Sequence, residues 1–136
     1  MEKRRALDAY EQAWAQTVEE KIRTWLDECW TAASTYENPL TDTVRGIDSM
    51  VRLILDYPVM FPDATVRKAG SVDEHHGCVR WPWRLSSSAR IRTMGRDFGH
   101  ALQGVDFIDF TSEGKISRVV CFFDEEAHAR LAAGTA

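Results

Sequence analysis

The sequence predicts an α+β domain in which helices come first and cover one face of an antiparallel sheet. As far as Pro58, apolar residues recur every three or four positions, which is typical of helices with one buried stripe. After residue 61 the repeat changes toward two, which is typical of strands. Helices followed by a strand-rich meander are the order expected of an α+β fold with its helices segregated on one face of the sheet.

The composition is that of one ordinary globular domain. With 136 residues, 44% hydrophobic and 28% charged, the chain can bury one core but is short for two, so residues 1–136 are interpreted as a single domain. A net charge of −4, without a basic stripe interleaved with aromatic residues, predicts no nucleic-acid partner. No apolar run resembles a membrane span or a signal peptide, so we expect no membrane partner and a cytoplasmic location.

The three cysteines, Cys29, Cys78 and Cys121, are odd in number and widely spaced among apolar neighbours. This pattern favours reduced thiols over a disulfide framework or a structural zinc site. We therefore expect no metal in the fold.

The first helical stretch is predicted to run from residue 5 to residue 30. Its apolar stripe consists of Leu7, Tyr10, Trp14, Val18, Ile22, Trp25 and Cys29. Thr17 and Glu20 have the spacing of a capping box, which predicts a break near Gln16 into two helices.

A third helix follows a short strand that begins at Tyr36 and ends at Pro39. The helix is predicted between Gly46 and Pro58, because proline disfavours helical geometry in the residue before it. Its inward residues are Ile47, Met50, Val51 and Ile54.

Four strands are predicted after the helices, over residues 64 to 70, 72 to 85, 103 to 112 and 115 to 124. The last two are joined by a tight hairpin across residues 112–115. Both faces of the last strand are apolar, with Val119, Cys121 and Phe123 on one and Ile116, Val120 and Phe122 on the other. The helices can cover only one face, so we predict a homodimer formed through the other face of the sheet.

The segment from residue 86 to residue 103 has no clean repeat and carries Arg90, Arg92 and Arg96. It has two interpretations. It could be a lid whose arginines meet an anionic group of a substrate, or a solvated loop with ordinary surface charge.

Several pieces of the sequence together resemble the nuclear transport factor 2-like superfamily, in its SnoaL-like branch. These pieces are Leu26-Asp-Glu-Cys-Trp, Tyr36-Glu-Asn-Pro, Gly46-Ile-Asp-Ser-Met, Phe61-Pro-Asp, Val72-Asp-Glu-His-His-Gly-Cys-Val-Arg-Trp-Pro-Trp and Gly104-Val-Asp-Phe-Ile-Asp-Phe-Thr-Ser-Glu-Gly-Lys-Ile. The resemblance covers most of the chain and implies a cystatin-like α+β barrel, with three N-terminal helices packed on a curved, mostly antiparallel sheet around a cone-shaped pocket. The superfamily includes ketosteroid isomerases, limonene-epoxide hydrolases, polyketide cyclases and proteins that only bind or dimerise, so the chemistry depends on the inward side chains.

Compared with the ketosteroid isomerases, Asp106 falls where that family keeps an oxyanion-hole aspartic acid. Asn38 stands where those enzymes have their general-base aspartate, and Trp14 where they have an oxyanion tyrosine. Since an amide cannot take a proton from carbon, the resemblance does not imply steroid isomerisation by that mechanism.

Compared with the epoxide hydrolases, Tyr36 and Asn38 reproduce a tyrosine-x-asparagine spacing that positions the attacking water. The acids of that family are missing, because Cys121 replaces the last-strand aspartate and Arg80 is followed by Trp-Pro instead of the expected aspartate motif.

Asp106 is the first candidate for catalysis, because apolar neighbours on its own face of the strand would desolvate it and raise its pKa. The alternative is a solvated aspartate at the start of a strand. Adjacent histidines on one strand point to opposite faces, so His75 and His76 are not expected to chelate a metal together. His76 and Arg80 share a parity: they either face the pocket, as a proton carrier and an anion clamp, or lie at the dimer seam or on the sheet surface.

We therefore predict Asp106, His76, Asn38 and Tyr36 as catalytic residues. The predicted substrate-binding residues are Trp14, Met50, Ile54, Arg80, Trp83, Ile108, Cys121 and Phe123. The tryptophans would suit a flat ligand, although core packing also explains them.

The predicted function is cofactor-independent acid–base chemistry, as a cyclase, isomerase or dehydratase, on an apolar polyketide- or steroid/terpenoid-like molecule. Asp106 would be the acid or base, while Asn38 and Tyr36 would orient a carbonyl or hydroxyl group. The alternative is a non-catalytic dimer that holds a hydrophobic ligand or an accessory protein. Nuclear transport is a third possibility, which only the fold supports.

Overall fold

The computed structural model describes residues 2–123 and shows three helices: α1 (Glu2–Trp14), α2 (Glu19–Cys29) and α3 (Gly46–Met60). The predicted break in the first helical stretch is confirmed, since residues 15–18 separate α1 from α2. The predicted capping box is wrong, because Val18 precedes the first turn of α2 and no side chain caps it. None of these helices is long and apolar enough to cross a bilayer.

The third helix does not stop at Pro58 as predicted. Pro58 lies inside the last turn, and the helix ends at Met60, where the Phe61 backbone N–H donates to the Tyr57 carbonyl over 2.8 Å. One missing backbone donor near the end of a helix is tolerated more readily than one in its middle.

The described part of the chain contains nine strands, numbered in chain order: β1 (Thr35–Glu37), β2 (Val44–Arg45), β3 (Thr65–Lys68), β4 (Asp73–His75), β5 (Cys78–Ser86), β6 (Arg92–Thr93), β7 (Arg96–Asp97), β8 (Ala101–Phe110) and β9 (Ile116–Phe123). The main sheet has the order β2-β1-β9-β8-β5-β3, and β4 pairs with β5. Only the β1–β9 pair is parallel among the paired strands of residues 2–123. The predicted α+β class, with three helices packed on a mostly antiparallel sheet, is confirmed.

The strand predicted over residues 72 to 85 is two strands, β4 and β5, joined by a turn at His76 and Gly77. Both turn residues have positive φ, 51° and 78°, as the two central positions of a type I′ hairpin turn require. The other strands differ at their ends: β3 is shorter than predicted and β8 begins earlier. The hairpin across residues 112–115 is confirmed, but residue 124 and the rest of the predicted domain lie outside the described residues.

Strand β9 contains a bulge that changes which residues face the core. Phe110 pairs with Ile116, whereas Asp109 pairs with Arg118, so Ser117 is the extra residue. Ile116 was predicted to share a face with Val120, but the bulge turns it inward and it is fully buried.

The segment from residue 86 to residue 103 forms a small hairpin, β6–β7, before it enters β8. Buried Ile91 and Phe98 anchor it to the core. Arg90 and Arg92 form ion pairs with Asp97, at 2.9 and 3.5 Å. These two arginines are thus engaged within the hairpin, which fits the surface-loop interpretation better than the lid.

Candidate active site

Asp106 lies at the middle of β8, on the sheet face that the helices cover. It pairs with Trp81 on β5 and with Cys121 on β9, so strands protect it on both sides. Residues alternate between the two faces of a strand, and Asp106 therefore shares its face with Ile108. Only 3% of its surface is exposed. Of the two interpretations of Asp106 offered by the sequence, the desolvated carboxyl group agrees with this position, and the solvated aspartate does not.

Two long-range hydrogen bonds hold the Asp106 carboxyl group. The Tyr10 hydroxyl on α1 donates to Oδ2 over 3.0 Å, and the Trp83 indole N–H on β5 donates to Oδ1 over 2.9 Å. Burial raises the pKa of Asp106 from 3.8 to about 7, although hydrogen bonds from Tyr10, Cys121 and Trp83 oppose the shift. Desolvation therefore outweighs hydrogen bonding, and the group can hold or release a proton near neutral pH.

Gly104 makes room for the Trp83 ring across the neighbouring strand. A Cβ atom built on Gly104 would overlap that ring and approach the Phe122 carbonyl oxygen to 2.6 Å. The absence of a side chain at Gly104 thus allows the indole to lie against β8, where its N–H reaches Asp106.

A narrow pocket lies against the Asp106 carboxyl group. Besides Asp106, its lining consists of Trp14, Tyr36, Tyr57, Val66, Trp81 and Trp83. The space is about 10 Å³, close to that of one water molecule. Among residues 2–123, no lysine, arginine or histidine lines it.

A second cavity of about 60 Å³ lies outside the first, between the α1–α2 link, the end of α3 and β3. Trp14, Tyr57 and Val66 line both spaces. The rings of Trp14 and Tyr57 meet edge to face, with centroids 4.9 Å apart. These three side chains separate the outer cavity from Asp106, so a ligand arriving by this route must move them.

Asn38 contacts the tyrosines of the pocket but has a structural task of its own. Its amide N–H₂ donates to the Tyr57 hydroxyl over 3.2 Å and to the Tyr36 hydroxyl over 3.5 Å. Its amide oxygen accepts the backbone N–H groups of Leu40 and Thr41, at 2.8 and 3.0 Å, which is the geometry of an Asx turn. Asn38 therefore orients the tyrosine hydroxyls and does not itself line the pocket.

Tyr36 and Tyr57 contribute hydroxyl groups to the lining of the pocket. Burial raises the pKa of Tyr36 and that of Tyr57 well above the usual value of 10. Both hydroxyls remain protonated at neutral pH and can act as hydrogen-bond donors.

His76 and Arg80 lie away from this pocket. His76 is exposed on the β4–β5 turn, where its Nδ1 lies 3.1 Å from Nδ1 of His75. Arg80 is exposed on the opposite face of the sheet from Trp81. The inward alternative for these two residues is therefore wrong, and His76 is not placed to exchange protons with Asp106. Within residues 2–123, no group of three or more potential ligands is arranged for a metal ion.

The other predicted binding residues are partly core and partly site. Met50 and Ile108 are fully buried and contribute packing, while Ile54 lines the outer cavity. Cys121 lies beside Asp106, and burial keeps the pKa of its thiol far above neutrality. Phe123 packs edge to face against Trp83, with ring centroids 5.8 Å apart.

Four site residues, Tyr10, Tyr57, Val66 and Trp81, were not among the predicted site residues. Tyr10 lies on the buried stripe of α1, one helical turn before Trp14, so the period of the helix could have placed it beside the pocket. Tyr57 follows Ile54 by three residues on α3 and lies on the same buried face.

Three helices packed on one face of a curved sheet define the fold, and the buried Asp106 carboxyl group lies between the helices and the sheet. The chain has the fold of the nuclear transport factor 2-like superfamily, and the resemblance to its SnoaL-like branch is confirmed. No family model matches the sequence, and no curated protein matches it significantly.

Solved structures give the particulars of this similarity. A proposed isomerase of the SnoaL-like family from Agrobacterium tumefaciens is 27% identical, with a TM-score of 0.73 over 90% of this chain and 97% of that one. A proposed SnoaL-like polyketide cyclase from Jannaschia sp. is 15% identical, with a TM-score of 0.65 over 93% and 90%. A protein with a ketosteroid isomerase-like fold from Catenulispora acidiphila, in complex with trimethylamine, is 14% identical, with a TM-score of 0.66 over 88% and 85%.

Proposed function

We propose that this protein is a SnoaL-like enzyme that moves protons on a small apolar molecule without a cofactor. The observation that carries the proposal is the Asp106 carboxyl group, which is buried in the wall of an aromatic pocket and has a pKa of about 7. A carboxyl group with this pKa is matched to general acid–base catalysis at neutral pH. The similarity to proteins described as an isomerase and a polyketide cyclase supports the same class of reaction.

In the proposed reaction, Asp106 removes a proton from a carbon next to a carbonyl group and returns it elsewhere on the substrate. Tyr10 and Trp83 each donate to one carboxylate oxygen, which leaves lone pairs on both oxygens for the substrate proton. The hydroxyls of Tyr36 and Tyr57 would donate to the carbonyl oxygen as negative charge develops there. Asn38 would act through these tyrosines, as a positioning residue.

The size of the pocket favours a smaller substrate than the polyketide- or steroid/terpenoid-like molecule that the sequence suggested. About 10 Å³ is free beside Asp106, so a polycyclic molecule would have to displace several packed rings. A substrate with one ring or a short branched chain requires less movement, mainly of Trp14 and Tyr57.

The test is solvent-proton exchange at the carbon next to the carbonyl group in a panel of small ketones, followed by NMR in deuterated water. The wild-type protein should accelerate exchange for at least one ketone, and Asp106→Asn should abolish the acceleration, since the amide cannot accept the proton. Asp109→Asn is the matched control, because Asp109 is exposed on the other face of the same strand. Equal exchange rates in the wild-type protein and Asp106→Asn would contradict the proposal.

A second candidate function is binding without turnover. It is favoured by the lining of the pocket, because Asp106 is the one group among the described lining residues whose pKa lies near neutrality. The trimethylamine held by the Catenulispora acidiphila protein supports a small ligand for such a site. Binding of small ligands to the wild-type protein, with no proton exchange in any of them, would favour this candidate over the enzyme.

We also propose that two copies pair through the outer face of the sheet. Phe107 and Phe122 are 38% and 52% exposed on that face, and their ring centroids are 5.9 Å apart. Adjacent exposed aromatic rings favour burial against a second apolar surface. Phe122→Lys should convert a dimer to a monomer in sedimentation equilibrium, whereas a wild-type protein that sediments as a monomer would refute the pairing.

A cytoplasmic location stays a prediction.

A further inference from the structure

We infer that the pocket beside Asp106 binds a small organic cation, specifically a methylated ammonium group, in preference to a neutral or anionic group of the same shape. The inference rests on the site of the proposed function but not on turnover. It concerns the charge of the ligand that the site prefers to bind, which the fold does not determine.

The walls of the pocket have the composition of an aromatic cage. Five of its seven lining residues are aromatic: Trp14, Tyr36, Tyr57, Trp81 and Trp83. The faces of such rings carry partial negative charge and attract methylated ammonium groups, most strongly when water is excluded. All five side chains are at most 7% exposed, so the contacts would be desolvated.

The charge of the pocket also favours a cation. Asp106 is an acid in the wall, and among residues 2–123 no basic side chain lines the space. A buried carboxylate without a cationic partner is costly, and an ammonium ion would supply that partner. An anionic ligand would instead meet a carboxylate of the same sign in a medium of low dielectric constant.

The groups that face Asp106 from the surrounding elements stay neutral near pH 7. They are Tyr10 on α1, Tyr36 on β1, Tyr57 on α3 and Cys121 on β9, and the pKa of each is raised by burial. Trp83 on β5 has no ionisable group. Asp106 is therefore the one group described around the pocket whose charge changes near neutrality.

Size limits the cation to a compact one. The outer cavity of about 60 Å³ adjoins the pocket behind Trp14, Tyr57 and Val66, so displacement of these side chains would join the two spaces. A trimethylammonium group could occupy the Asp106 side of the joined space, and a longer substituent would extend toward the α1–α2 link. Arg67, an exposed residue of β3, lines the outer cavity and not the pocket beside Asp106.

The experiment compares choline with its uncharged carbon analogue, in which the quaternary nitrogen is replaced by carbon. Binding is followed through the NMR signal of the Trp83 indole N–H, which donates to Asp106. At about pH 8, choline should bind at least about tenfold more tightly than the analogue. Asp106→Asn should reduce that preference to the part supplied by the aromatic rings while leaving the affinity for the analogue within about twofold, and Asp109→Asn should leave both unchanged.

The pH dependence gives an independent readout. Choline carries no titrating proton on its nitrogen, so its affinity should rise between about pH 6 and pH 8 as Asp106 ionises, and the analogue's should not. Equal affinity for the two ligands, a preference of unchanged size in Asp106→Asn, or no binding of choline would overturn the inference. Binding of the analogue without binding of choline would refute this inference but not the proposed enzyme. Failure of the protein to accelerate proton exchange in ketones would refute the proposed enzyme but not cation binding.

Discussion

Replacing Asp106 with asparagine tests whether burial of this carboxyl group makes the fold less stable as the pH rises. The substitution preserves shape, and both hydrogen bonds can be kept. The amide oxygen can accept from Trp83, and the amide N–H₂ can donate to the Tyr10 hydroxyl, which can act as donor or acceptor. The variant should therefore fold, and its main difference should be the loss of one titration.

The sign follows from the direction of the pKa shift. The pKa of Asp106 is raised from 3.8 to about 7 in the folded protein. Below about pH 4 the group is protonated in both the folded and unfolded states, and between about pH 4 and pH 7 only the unfolded state releases its proton. The wild-type free energy of unfolding should fall across this window, because the unfolded state gains from ionisation and the folded state does not.

The magnitude follows from the same two values. A rise from 3.8 to about 7, at about 1.4 kcal/mol for each pH unit, corresponds to roughly 4 kcal/mol. Other groups contribute in both proteins, such as Asp97, whose pKa the Arg90 guanidinium helps to lower to about 2. Their contributions cancel when the variant is compared with the wild type.

The assay is urea unfolding followed by tryptophan fluorescence, from about pH 4 to about pH 8. The free energy of unfolding of Asp106→Asn minus that of the wild type should increase by roughly 4 kcal/mol between the lowest pH and about pH 8. Asp109→Asn should show no such gain, because Asp109 is exposed. A difference between Asp106→Asn and the wild type that stays constant with pH would refute the burial argument.

Three further predictions concern two residues of the site, Gly104 and Tyr10, and one residue of the β4–β5 turn, Gly77. Gly104→Ala should displace the Trp83 ring and cost about 1–3 kcal/mol, measured as a lower urea midpoint together with a shifted indole N–H signal; an unchanged indole signal would contradict it. Tyr10→Phe should raise the pKa of Asp106 above about 7, measured by carbon NMR of the carboxyl group, because a hydrogen bond that lowers it is lost; a lower pKa would contradict this reasoning. Gly77→Ala should cost about 1 kcal/mol through its positive φ alone, since nothing lies within 4 Å of the added Cβ; no loss of stability would show that the turn relaxes.

The α+β class could be predicted because the two periods of the sequence are strong and separate. The helical stripe ends before residue 61, and the alternation of β5 and β8 is nearly complete, with Val79, Trp81 and Trp83 buried on one side of β5. Such alternation records burial on one face of a sheet, which composition alone does not reveal.

The β4–β5 turn could not be recognised from the same signal, because the run Asp-Glu-His-His-Gly continues without a clear break in polarity. Asparagine or aspartate usually precedes glycine in a two-residue hairpin turn, and here His76 takes the left-handed position. The length of the predicted strand was the available warning, since strands rarely exceed about ten residues.

The bulge in β9 was hidden for a different reason. Strict alternation assigns Ile116 to the outer face, and only the pairing of β9 with β8 shows that Ser117 is an extra residue. Register depends on a neighbouring strand, so the sequence of β9 by itself cannot reveal it.

The site was partly predictable in the same sense. Asp106 stands out as a charged residue on an apolar strand face, whereas its partners Tyr10 and Trp83 come from elements 96 and 23 residues away in the sequence. Asn38 was predicted to contact the substrate, but the fold uses its amide oxygen in a turn. A polar residue followed by proline is as typical of a turn as of a catalytic site.

The closed interior and the raised pKa of Asp106 have one cause, because packed aromatic rings exclude water from the carboxyl group. A ligand that opens the pocket must either keep water out or bring compensating charge. A neutral substrate keeps the pKa near neutrality, so Asp106 can still exchange a proton with it. A cation lowers the pKa and leaves a stable ion pair, which binds tightly but has no proton to move. The pKa of Asp106 in the bound state therefore separates the two functions: a value near 7 fits an acid–base enzyme, and a value well below the free protein's fits a binding protein.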